Sequence, residues 1–73
     1  MGTAVKGDLF RDNEPRNIGV RIIRVVTVVG DNALVENVKH WNPNAIGRYT
    51  YIGVPRLLSK RYTKVEPAAD GLS

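Results

Sequence analysis

Between positions 39 and 51 the chain gathers Lys39, His40, Trp41, Arg48, Tyr49 and Tyr51. Cations interleaved with flat side chains are the chemistry of polyanion recognition: ammonium and guanidinium groups neutralise phosphates and release counterions, and aromatic faces stack on exposed bases. A second basic group, Arg56, Lys60, Arg61 and Lys64, follows, and Arg21 and Arg24 precede. The candidate phosphate partners are therefore Arg21, Arg24, Lys39, Arg48, Arg56, Lys60, Arg61 and Lys64, with Trp41 and Tyr49 as candidate stacking groups. Each has a plainer role to set beside this one. Tryptophan is usually well buried overall, so the reading that weighs more for Trp41 is a cap on the open end of the fold. Tyr49, Tyr51 and Tyr62 suit cross-strand packing, and lysine and arginine protect strand edges and solubilise small domains.

Chemistry of other kinds finds little to work with. A single histidine, His40, no cysteine and no serine or threonine in a nucleophile motif leave no triad or dyad to propose from spacing. Asp12 and Glu14 are close enough to form a carboxylate pair or a weak site for a hard cation, but Arg11 and Arg16 flank them, which favours local ion pairs in a polar loop. The seven glycines are scattered and make no phosphate-cradling loop. The expectation is a non-enzymatic protein with no catalytic residues, no metal and no cofactor.

The elements that must position these residues are those of one small domain. The chain has 73 residues, of which 42% are hydrophobic and 25% charged. Ordering it costs on the order of 110 kcal/mol at about 1.5 kcal/mol per residue, which burial in so short a chain only just offsets, so self-association is a standing option. Without cysteine it must fold on packing alone. No apolar run approaches the length of a membrane span, and the first residues lack the apolar stretch of a signal peptide, so an intracellular, cytoplasmic location is expected. The formal charge of +4 is unevenly spread: residues 17–65 hold eight Lys and Arg against Asp31 and Glu36, whereas residues 1–16 balance.

Hydrophobic patterning points to strands. Val20, Ile22, Ile23, Val25, Val26, Val28 and Val29 form a β-branched run over 20–29, Gly30 with Asp31 and Asn32 supplies turn chemistry, and a second such run covers 33–38. Strict alternation fails in both, since Ile22 and Val25, like Val35 and Val38, have opposite parity; a bulge or sharp bend is predicted. Shorter strands are predicted at 5–11, 48–53 and 61–65, with Asp12 to Asn17 as a polar loop. Val54, Leu57 and Leu58, with Pro55, fit one helical turn before the last strand. Within 48–53, Tyr49 and Tyr51 share one face and Arg48 and Thr50 the other.

This order, short strand, polar loop, long hairpin, strand, helical turn, strand, resembles the SH3-like barrels, which include SH3 domains, KOW-type modules and several phage and plasmid DNA-binding proteins. The resemblance covers residues 5–65. More narrowly, Lys6-Gly7-Asp8-Leu9-Phe10-Arg11-Asp12-Asn13 with Pro15 and Arg16, then Arg24-Val25, Gly30-Asp31, Val35-Glu36-Asn37-Val38, Arg56-Leu57 and Arg61-Tyr62, looks like a group of short proteins encoded by actinobacterial phages, a likeness that implies a fold and an origin but no activity. Proline-peptide binding is not expected, because Asp8-Leu9-Phe10 stands where peptide-binding SH3 domains have an Ala-Leu-Tyr start.

The fold class expected is thus all-β: a small five-stranded SH3-like barrel over 5–65, between a flexible start at 1–4 and a disordered tail at 66–73. The function expected is a phage-type binding module for DNA or RNA, with the cations between Ile18 and Val65 gathered on a common side of the barrel. The alternative is a protein-interaction module that binds a host protein or assembles with itself.

Overall fold

The β-branched middle of the chain does form the hairpin. In this computed structural model, which describes residues 4–16 and 18–65, the long strands are β2 (Ile22–Val29) and β3 (Asn32–Lys39). Val29 faces Asn32 across a loop of two residues, Gly30 and Asp31, and Gly30 adopts φ 59°, where a side chain would be strained. The broken alternation has its expected cause. Pairing steps from Ile22↔Lys39 to Ile23↔Asn37 and from Val25↔Val35 to Thr27↔Leu34, leaving Val38 and Val26 as extra residues at two irregularities. These bends let one strand keep apolar residues of both parities while the sheet curls.

Around the hairpin lie β1 (Leu9–Asp12), β4 (Tyr49–Gly53) and β5 (Tyr62–Val65), with a 3₁₀ turn (Pro43–Ala45) before β4 and a helical turn, α1 (Val54–Leu57), after it. All pairings are antiparallel, in the order β4-β3-β2-β1-β5. The protein is an all-β, small barrel-like fold of five strands with one helical turn before the last, as the sequence predicts. The expected full closure is replaced by a curled half-barrel: β4 and β5 are its two edges and do not pair with each other. α1 supplies Leu57 to the core.

The first strand begins later than predicted. Val5, Lys6, Gly7 and Asp8 form a turn in which the Asp8 carboxylate accepts the Val5 N–H at 3.0 Å and Gly7 takes φ 95°. That conformation is incompatible with a strand, so β1 starts at Leu9. The turn is fastened to the hairpin by Gly7 N–H to the Val25 carbonyl and Val25 N–H to the Asp8 carbonyl, each 2.8 Å.

Phe10, Ile23, Val25, Ala33, Val35, Ile52 and Leu57 point inward and are buried, and Ala4 joins them, so the packed unit reaches one residue before the predicted domain start at 5. The expected tail at 66–73 lies outside the described residues, as do residues 1–3 of the expected flexible start. Because Phe10, Ile23, Val35 and Ile52 face the core, alternation turns Leu9, Arg11, Ile22, Arg24, Leu34, Glu36, Tyr49 and Tyr51 to the convex outer face. No helix among the described residues is long and apolar enough to cross a membrane.

Candidate nucleic-acid interface

The outer face carries the exposed aromatics. Tyr49 lies opposite Glu36, Glu36 opposite Arg24, and Arg24 opposite Leu9, a row that runs across four strands. Beside it Tyr51 lies opposite Leu34. Tyr49 is 61% and Tyr51 62% exposed, far more than cross-strand packing requires. On the same face Lys39 and Arg11 both lie opposite Ile22, two interstrand spacings or on the order of 10 Å apart. A shallow cavity of about 280 Å³ opens between Lys6, Gly7, Arg24, Val26, Glu36 and Tyr49, which brings the N-terminal turn to the aromatic row.

The electrostatics of this face follow from its pairings. Its one carboxylate within the sheet, Glu36, accepts a hydrogen bond from the Arg24 guanidinium. Lys6, Arg11 and Lys39 make no ion pair among the described residues. The face therefore keeps a cationic surplus alongside two accessible rings.

The residues expected from the sequence do not all meet here. Arg24, Lys39 and Tyr49 lie on the outer face. Arg21 is committed elsewhere: its guanidinium donates to Asp12 Oδ2 at 2.8 Å and to Asn37 Oδ1 at 3.0 Å and is only 18% exposed, while Asn37 Nδ2 reaches the Ala45 carbonyl at 3.1 Å. This network ties β1, β3 and the loop before β4 together. Arg61 donates to Glu14 at 3.0 Å, and Lys64 lies 3.7 Å from Asp8. Lys64 is opposite Phe10 in register, so it has the parity of the core side of its strand, opposite to Arg24. Arg56 stands on α1 and Lys60 in the turn before β5, where its carbonyl accepts from Asn13 Nδ2. Arg48 Nε is held by the Asn44 carbonyl at 3.2 Å.

The single basic side expected of the cations between Ile18 and Val65 is thus corrected to a divided one: alternation sends Arg24 and Lys39 outward, and carboxylates at the end of β1 and in the segments flanking it draw Arg21, Arg61 and Lys64 away. Arg16 also bonds Glu14, at 3.4 Å, and that hydrogen bond, with a second from the Arg16 N–H and the charges of Arg16 and Arg61, holds the Glu14 carboxyl below its ordinary pKa.

Trp41 follows neither expectation cleanly. It stacks on the His40 ring with centroids 3.9 Å apart and planes at 28°, stays 37% exposed and is not among the buried core residues. A Cβ at Gly19 would stand 3.0 Å from Trp41 Cβ, so the glycine is what lets the chain pass so close. The His40 ring is fixed in turn by Asn42 N–H, which donates to its Nδ1 at 2.9 Å.

Lys6 and Arg11 are outer-face cations missing from the candidate phosphate partners, and Tyr51, gathered with the other aromatics in the sequence, is missing from the candidate stacking groups. The parity of Arg11 against Phe10 and of Tyr51 against Ile52 carried the signal for two of them; Lys6 depended on the turn at Gly7. Comparison with known proteins finds no match to this chain among protein families, curated proteins or solved structures.

Proposed function

We propose that the protein binds single-stranded nucleic acid on the outer face of its sheet, without catalysis. Tyr49 and Tyr51 stack on bases, and Lys6, Arg11 and Lys39 neutralise phosphates. The observation that carries this reading is the pair of highly exposed tyrosines on a face whose sheet carboxylate is already bound by arginine. Base faces are accessible in single strands and hidden in duplexes, so open rings on a sheet favour the single-stranded form.

The test is fluorescence anisotropy with a labelled oligonucleotide across a salt series. Three neutralised phosphates predict a slope of about −2 in log affinity against log salt, at roughly −0.7 per phosphate. Tyr49→Ala and Tyr51→Ala should each weaken binding by about 5- to 150-fold, the equivalent of roughly 1–3 kcal/mol for one stacked base. A flat salt response, or full affinity in both variants, overturns the reading.

A further inference from the structure

The two edges of the half-barrel are built differently. The β5 edge is guarded in the usual way, with Lys64 within the strand and Arg61 just before it. The β4 edge, Tyr49 to Gly53, contains no charge, no proline and no bulge in its pairing with β3, and Tyr49, Thr50 and Tyr51 are all exposed.

Backbone directions along β4 are fixed by the bonds at its two ends. Asn37 N–H donates to the Arg48 carbonyl and Val54 N–H to the Asp31 carbonyl, and both pairs continue the β3–β4 register. Arg48, Thr50, Ile52 and Val54 therefore turn their backbone groups toward β3. Those of Tyr49, Tyr51 and Gly53 point away from the sheet, where no strand receives them among the described residues.

We infer that this edge pairs antiparallel with the same edge of a second copy, about a two-fold axis at Thr50. In that register Thr50 faces Thr50 of the second copy as a closely spaced pair. Tyr49 faces Tyr51 of the second copy, and Tyr51 faces its Tyr49, with their outward N–H and C=O groups forming four hydrogen bonds. The free backbone groups fall where the symmetry requires them, and the segment carries no charge to repel its own image. Aromatic cross-strand pairs then form on both sides of the axis, on the outer face. The sheet continues from one copy into the next, and two aromatic rows become one. A core of eight buried residues among the described residues gains from such an extension.

The experiment is sedimentation equilibrium on nuclease-treated protein at high salt, so that nucleic acid neither bridges copies nor bears on the result. The wild type should rise with concentration to twice its 8.1 kDa. Thr50→Lys and Thr50→Glu, at an exposed site, each place like charges against each other at the axis and should remain monomeric with an unchanged circular dichroism spectrum. Mixing the two variants should restore the doubled mass, because opposite charges then meet. A wild type that stays monomeric at millimolar concentration, a dimeric single variant, or a mixture that stays monomeric while the wild type dimerises overturns the inference.

Discussion

The side of the sheet formed by β1 and β5 and the side formed by β4 use their surface residues in opposite ways. Along β1, β5 and the loops that flank them, charge meets charge: Asp8 lies near Lys64, Asp12 holds Arg21, and Glu14 takes both Arg16 and Arg61. Along β4 there is no charge within the strand, and two tyrosines stand exposed. The first region pairs its carboxylates with arginine and lysine and so ties the fold together, while its Lys6 and Arg11 make no ion pair among the described residues; β4 has no charge to pair and leaves two rings open.

Leu57 joins the two regions, since α1 leads from β4 toward β5 and this side chain is fully buried. Its replacement by alanine should have the largest effect, a loss of about 2–5 kcal/mol in urea unfolding, enough to threaten so small a domain. A loss below that range would mean the core closes over the gap and α1 is not what holds the edges in place.

Arg21→Ala tests the structural side directly. It removes the guanidinium from an Asp12 side chain only 9% exposed, which keeps the Glu14 N–H on its other oxygen, and takes the Nε donor from Asn37 Oδ1, so a loss of about 1.5–3 kcal/mol is expected by the same measurement. Arg24→Ala, on the outer face, breaks a more exposed pair and should change stability by less than about 1 kcal/mol. Equal effects from the two substitutions would erase the contrast between a structural and a surface arginine.

The smallest effect is electrostatic and concerns Glu14. Its pKa is lowered in the folded protein, first by the hydrogen bond from the Arg16 side chain. A depressed carboxylate pKa stabilises the fold above the pKa of the unfolded chain, and this contribution is lost as pH falls through the lower folded value. Carboxyl titration by NMR should place Glu14 below an ordinary glutamate, and Arg16→Ala should move it upward. An unmoved titration would separate Glu14 from Arg16 in solution.

Much of the architecture was legible in the sequence because it rests on local rules. The β-branched run around Ile23 and Val25, Gly30 at the turn, the parity breaks at Ile22/Val25 and Val35/Val38, and Pro55 opening a helical turn each act over a few residues. The candidate interface was legible only in part. Tyr49, Arg24 and Lys39 were identified, yet they were grouped with Arg21, whose partner Asp12 lies across the β1–β2 loop, and with Arg61 and Lys64, whose partners Glu14 and Asp8 lie far away in the sequence. Lys6 was missed because its position depends on a turn that docks on Val25, a long-range contact.

The sequence alone determined that the chain is a strand-rich, cysteine-free domain with a bulged central hairpin and an excess of positive charge, since periodicity, turn chemistry and composition are properties of neighbouring residues. Tertiary structure decided which cations are neutralised, which rings remain open and which strand edge is left uncharged and unpaired. Those outcomes depend on ion pairs and ladder hydrogen bonds between residues brought together by folding, and no local pattern encodes them.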